Sequence, residues 1–211
     1  MSFLITICPE CRSSFNLNRS ALNSPSGLVR CGACLAVFEA SEHFFESEAQ
    51  SEIFKDGSVV LDLGAAPGGW SQVALEYIGE EGKLVGVDLQ HILPLSGAQF
   101  IQGDLREKEI REELERLAPK ADTVISDMSP NLSGNYSVDQ ARSVELSSLA
   151  LEIAAERRAK FFVCKVFEGS DFQEFRQSVI DEFGSVRTLS PEASRKQSSE
   201  VYLIAKRKKR R

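Results

Sequence analysis

Asp127, Lys165 and Glu200 are the residues of this chain whose types and places could move a proton. Asp127 follows the apolar run Thr123 to Ser126, Lys165 interrupts FFVCKVF, and Glu200 opens EVYLIA. A lysine within an apolar strand is costly to bury unless it is paired or reaches a cleft. The plain alternative is a snorkelling surface lysine, but a strand covered on both faces leaves little room for one. Glu200 taken alone reads equally as a solvated strand end. Two carboxylates around one lysine form a charged cluster. Cys164 alternates to the other face from Lys165 and reads as a buried hydrophobe.

A second constellation surrounds SVVLDLGAAPGGW, Ser58 to Trp70. The run Val59 to Leu63 is apolar on both faces apart from Asp62, as expected of a central parallel strand. Gly64, Gly68 and Gly69 then form a turn into a helix, whose N-terminus offers unpaired N–H groups and a positive dipole end. A tight strand-to-helix connection without a ligand is the bland alternative. The dinucleotide fingerprint is absent, since residue 66 is Ala where it needs Gly. Asp88 ends the strand Lys83 to Val87, placed to accept two ribose hydroxyls. Gly103-Asp104 follows a strand near Phe100, within reach of an adenine edge. Together these features suggest an adenosine ligand without phosphate, and S-adenosylmethionine fits.

The third constellation is cysteine. Cys8-Pro-Glu-Cys11 and Cys31-Gly-Ala-Cys34 are two C-x-x-C knuckles separated by nineteen residues, the spacing of a four-cysteine zinc site. So short a unit has too small a core to fold alone, and a metal would supply its folding energy, roughly 10–16 kcal/mol. Disulfides or a redox pair are the competing readings. No export signal precedes the knuckles, and redox C-x-x-C motifs come singly. With all four positions filled, the site would be structural.

The elements that position these residues alternate strand and helix from Ser58 onward. Helices are expected at Trp70–Ile78, 106–117, 138–158 and 171–183. Two final strands, near Val186–Leu189 and Glu200–Ala205, are joined only by a loop and so should be antiparallel neighbours. The expected fold is α/β and Rossmann-like, a mostly parallel doubly wound sheet with a reversed edge strand. The expected domains are a zinc ribbon over 1–42, an acidic linker over 43–57, the main domain over 58–206 and a basic tail over 207–211. The chain has 211 residues, 42% hydrophobic and 27% charged, and a formal net charge of −6. That charge argues against whole-surface binding of nucleic acid but allows a local basic patch. Ala205 to Arg211, AKRKKRR, is either a solvated end or an RNA-phosphate contact. No run is long enough to cross a bilayer and no secretory signal is present, so a cytoplasmic monomer is expected.

From about Phe54 to Lys206 the chain resembles the FtsJ-type ribosomal RNA ribose 2′-O-methyltransferases of bacteria. The matching segments are VVLDLGAAPGGWSQ, VGVDL, FIQGDLR, VISDMSPNLSG, LALEIA, VCKVFEG and SRKQSSEVYLIA. The resemblance implies a methyltransferase fold, transfer of a methyl group from S-adenosylmethionine to a ribose 2′-hydroxyl of large-subunit ribosomal RNA, and RNA as partner. It implies cofactor contacts at Gly68, Trp70, Asp88, Asp104 and Asp127, beside the Gly64 turn, and a catalytic Lys165 assisted by Asp127 and Glu200. Residues 5–45 separately resemble a small zinc ribbon found at the N-terminus of assorted bacterial proteins.

Two departures stand out. The family's first catalytic lysine lies upstream of the first strand of the sheet. Here an ungapped count places His43 there, with Lys55 closer to the strand but at another position. A lysine acts as base only as the neutral amine, which a nearby cation favours and carboxylates disfavour. The missing lysine therefore keeps open a second reading, a catalytically weak or inactive cofactor-binding module that contacts RNA or protein. The family's Pro-Gly-Gly turn before the lysine strand is also replaced, by Arg157, Arg158 and Lys160.

Overall fold

The computed structural model describes residues 3–8, 10, 14–18, 28–31, 36–39, 53–189 and 199–208. The chain opens with two antiparallel hairpins, β1 (Phe3–Ile7) with β2 (Ser14–Asn18) and β3 (Leu28–Arg30) with β4 (Val37–Glu39). Cys8 directly follows β1 and Cys31 directly follows β3.

The main domain alternates strand and helix. In chain order it contains β5 (Val59–Leu63), α1 (Gly69–Ile78), β6 (Lys83–Asp88), β7 (Ala98–Gln102), α2 (Lys108–Leu117) and β8 (Thr123–Ser126). Then come α3 (Tyr136–Glu156), β9 (Phe161–Phe167), α4 (Phe172–Phe183), β10 (Gly184–Leu189) and β11 (Glu200–Arg207). These strands form one sheet in the order β10-β11-β9-β8-β5-β6-β7. The pairs from β9 through β7 are parallel, and β11 is antiparallel to both β9 and β10. Strand order therefore reverses between β5 and β8, which is where such sheets bind ligands.

Apolar runs become the central strands because both of their faces are covered. One face packs Leu61, Val85, Phe162 and Val166 against α3 and α4 through Ile153, Phe175 and Val179. The other packs Val60, Leu84, Ile125 and Val163 against α1 through Val73, Ala74 and Ile78. Helix α3 lies close on the sheet because small residues, Ser143, Ser147, Ala150 and Ala154, face it. The Phe167 N–H donates to Ser143 Oγ at 3.0 Å, and the Ser147 hydroxyl donates to the Lys165 carbonyl at 3.0 Å. These bonds fix the β9 backbone on either side of the lysine.

Three expectations need correction. The reversed strand is not at the edge: β11 is inserted between β9 and β10, and β10 is the edge. The hairpin folds back into a gap that the crossover through α4 leaves open, so β11 rather than β10 borders the lysine strand. The acidic linker ends earlier than expected, because Ile53 and Phe54 are buried in the α1-side core and the Ile53 carbonyl accepts from the Thr123 hydroxyl at 2.6 Å. The last strand runs through Arg207, which belongs to the fold and not to a solvated tail. Its guanidinium lies 4.6 Å from the Phe183 ring centroid and pairs with Glu182 at 2.7 Å. Among the described residues no helix is long and apolar enough to cross a membrane.

The turn before β9 shows what the arginines do. Arg157 is buried and ion-paired with Glu115 of α2, clamping α3 to its neighbour. Arg158 takes φ 54°, the described non-glycine residue in left-handed conformation. A β-carbon there crowds the following carbonyl, at a cost of about 1 kcal/mol. Arg158→Gly is therefore expected to raise stability by about 1 kcal/mol in urea unfolding, since glycine adopts this conformation without strain. An unchanged or lower stability would mean that the Arg158 side chain contributes more than its backbone costs.

Candidate active site

The glycine turn is built around the carboxyl ends of β5 and β6. The Gly64 and Ala65 N–H groups donate to the Val87 carbonyl at 2.8 and 3.1 Å. Gly64 has φ 79°, and a β-carbon on it would stand 2.9 Å from the Met128 backbone nitrogen, so no side chain fits. Gly68, at φ 111°, caps α1. Asp88 steadies this turn as well as facing the cleft. Its Oδ2 accepts from the Ala66 N–H at 3.0 Å and its Oδ1 from the Gln90 N–H at 2.8 Å. Each carboxylate oxygen can accept a further bond, so Asp88 retains capacity for ribose hydroxyls.

A cleft of about 590 Å³ opens over these strand ends, a size suited to a nucleoside-sized ligand. Gly64, Ala66, Asp88, Asp104 and Asp127 all line it. Asp104 faces it differently from expectation, because both its oxygens accept from the Arg106 guanidinium, at 3.0 Å to Nε and 2.6 Å to Nη2. Those hydrogen bonds hold its carboxyl below the usual range.

Asp62 lies beneath the turn, fully buried on the α1 side of β5. Its Oδ2 accepts from the Ser71 hydroxyl at 2.6 Å, and its Oδ1 has no hydrogen-bond partner. Burial raises its pKa to about 7; the Ser71 bond opposes the rise, while the Asp127 and Asp88 carboxylates add to it. In the sequence Asp62 reads only as an interruption of an apolar strand. The carboxylates that line the cleft, Asp88, Asp104, Asp127 and Glu145, outnumber its arginines, which suits a ligand carrying positive charge, as a sulfonium nucleoside does.

The proton-moving cluster assembles next to this cleft. Lys165 Nζ lies 2.9 Å from Asp127 Oδ1 and donates to the Asp127 carbonyl at 3.0 Å. Its side chain is 11% exposed, so the expected pairing of a strand-borne lysine is realised. Tyr202 stands directly opposite Lys165 in the β9–β11 ladder, and its hydroxyl donates to Asp127 Oδ1 at 3.2 Å. Glu200 is opposite Phe167, two residues along, and alternation puts it on the same face as Tyr202. Trp70 turns its ring to Tyr202, with centroids 5.9 Å apart, so it braces this cluster from α1. Tyr202 was missed because an aromatic residue in a strand reads as core; only the register shows its hydroxyl reaching Asp127. Cys164 points to the opposite face, where burial pushes its thiol up to about 12.

Lys55 cannot fill the place of the family's first lysine. The backbone of residues 53–58 runs past the amino ends of the strands: Ile53 binds Thr123, the first residue of β8, and the Ser58 N–H binds the Lys55 carbonyl. Asp127 lies beyond the other end of β8, about 13 Å away at 3.3 Å per residue, and Lys55 is exposed. His43, Cys11 and Cys34 lie outside the described residues. Cys8 and Cys31 are fully buried.

The strand order, the reversed strand beside β9 and the acidic cleft at the switch point are those of a Rossmann-like methyltransferase. A Plasmodium falciparum protein assigned as a ribosomal RNA methyltransferase superimposes with a TM-score of 0.62 at 25% identity, over 72% of this chain and 87% of that one. Fibrillarin of Aeropyrum pernix, solved with natively bound S-adenosyl-L-methionine, matches in fold with a TM-score of 0.50 at 14% identity, over 72% and 67%. The chain belongs to the FtsJ-like methyltransferase family, which matches residues 11–208. Ribosomal RNA large subunit methyltransferase E of Natronomonas pharaonis is 49% identical over 158 residues, 74% of this chain and 63% of that protein. This chain thus spans less than two thirds of that relative's length.

Proposed function

We propose that this chain transfers a methyl group from S-adenosylmethionine to a ribose 2′-hydroxyl of RNA, with large-subunit ribosomal RNA as substrate. The observation that carries the reading is the Lys165–Asp127 pair standing beside an acid-lined cleft of nucleoside size. Asp88 would accept the ribose hydroxyls of the cofactor, and the turn from Gly64 to Gly68 would take its amino-acid end. Asp104, shared with Arg106, would edge the adenine. The cofactor supplies an electrophilic methyl on a sulfonium centre, so alignment is the main task of the protein. Lys165, in its amine form, accepts the proton of the acceptor hydroxyl at Nζ. Asp127 aims that amine, held in turn by the Tyr202 hydroxyl, and Glu200 borders the acceptor side. Incubating isolated large ribosomal subunits with methyl-labelled cofactor should label the RNA and yield a nuclease-resistant 2′-O-methyl dinucleotide. Label on a base, or no label, would overturn the assignment.

The same reading includes a structural zinc on Cys8, Cys11, Cys31 and Cys34. Its support is the spacing of the two C-x-x-C pairs in the sequence and the full burial of Cys8 and Cys31, each directly after a strand. Elemental analysis of protein prepared under reducing conditions is expected to find one zinc per chain. A metal-free, folded protein would sink this assignment.

A further inference from the structure

We propose that Tyr136 is a stacking platform for a base of single-stranded RNA beside the acceptor site. The inference rests on RNA being the substrate. Tyr136 opens α3 and is 60% exposed, and Leu132 in the preceding loop is 71% exposed. Exposed apolar side chains in a loose loop would mean little, but this loop is held. Asp139 Oδ1 accepts from the Ser133 N–H at 2.8 Å and from the Ser133 hydroxyl at 2.7 Å. Ser133 Oγ accepts from the Asn135 N–H at 3.2 Å, and Asn135 caps the helix through the Val138 N–H. The ring is also tethered at its far end, because its hydroxyl donates to the Glu168 carbonyl at 3.4 Å, an oxygen that Gln140 also binds.

That tether sets where the ring stands. Glu168 follows β9 three residues after Lys165, about 10 Å along the strand. Its N–H donates to the carbonyl of Ser199, the neighbour of Glu200. The ring therefore stands beyond the carboxyl end of β9, on the Glu200 side of the cluster, where a nucleotide flanking the methylated one would pass. Arg142, whose guanidinium holds the Asn131 carbonyl at 3.5 Å, lies instead along the cleft with Asp88 and Asp127. A rigid, exposed aromatic face is how proteins hold single-stranded RNA without reading its sequence. A single exposed ring suits a base and is small for a protein partner.

The test measures binding of a short single-stranded oligouridylate to the full chain, with methyl transfer to ribosomal subunits alongside. Tyr136→Ala is expected to weaken RNA binding about tenfold and to raise KM for the subunit, with kcat and S-adenosylmethionine affinity unchanged. Tyr136→Trp, which keeps a stacking face but loses the hydroxyl tether, is expected to bind RNA as well as the wild type. Equal RNA affinity of wild type and Tyr136→Ala overturns the platform and leaves the ring to a protein partner. Equal losses in the alanine and tryptophan variants overturn it too, since the tether would then be what matters. An absence of RNA binding by the wild type does the same. If RNA binding falls with Tyr136→Ala while the wild type transfers no methyl group, the platform stands and the proposed reaction fails.

Discussion

Lys165→Ala lowers the rate of methyl transfer by about 10²–10⁴-fold and leaves affinity for S-adenosylmethionine within about twofold. A base acts on the acceptor hydroxyl, so its loss is felt in the transition state and not in cofactor binding. The alanine variant alone would be ambiguous, because the ammonium also satisfies both the carboxylate and the carbonyl of Asp127. Lys165→Arg separates the two roles. A guanidinium keeps the charge and the hydrogen bonds to Asp127 but cannot give up a proton at any working pH. The arginine variant should thus recover stability toward wild type while remaining as slow as the alanine variant. A near-wild-type rate for Lys165→Arg would remove Lys165 from the role of base and assign it to charge alone. Tyr202→Phe should have a much smaller effect, since Asp127 keeps its bonds to Lys165 and loses one neutral partner of about 1 kcal/mol.

How far the sequence carried this site depends on how local each signal was. The strand-helix alternation was legible because buried parallel strands are short apolar runs and each is followed by its own helix. Lys165 and Asp127 were legible because a charge in such a run is costly, and the cost points to a partner. The position of β11 was not legible: nothing in Glu200–Arg207 says on which side of β10 the hairpin will fold, and that choice brings Tyr202 opposite Lys165. Nor was the Asp104–Arg106 pair, because a carboxylate at a strand tip suits a ligand and a neighbouring arginine equally well. Ile53 and Phe54 were absorbed into an acidic stretch, although two large apolar residues just before a strand can anchor in the core that strand helps to form. The replacement of the family's Pro-Gly-Gly turn gave no sign that Arg158 would take a left-handed backbone, because an arginine in sequence carries no such signal.

Asp62→Asn removes a pH dependence of stability worth about 3 kcal/mol between about pH 5 and pH 8. Asp62 is fully buried, and its carboxyl is raised from its ordinary value to about 7, chiefly by burial. Above the ordinary value the unfolded chain releases this proton while the folded chain retains it. Unfolding is therefore increasingly favoured as pH rises, and the penalty grows until the folded carboxyl also ionises near 7. Below about pH 4 both states are protonated and the penalty vanishes; above about pH 7 it is fully developed at ~4 kcal/mol. Asparagine carries no proton to lose. Its carbonyl can still accept from the Ser71 hydroxyl, and its amide nitrogen falls where Oδ1 has no partner. That unpaired donor shifts the stability of the variant by a constant amount at every pH. The informative quantity is accordingly the difference between variant and wild type, from urea unfolding of both proteins at the two pH values, which cancels every other titrating group. The variant should gain on the wild type as pH rises. A difference that stays constant with pH would mean that Asp62 ionises normally in the fold, and that its orphan oxygen is reached by water or by a cation already within the unliganded site.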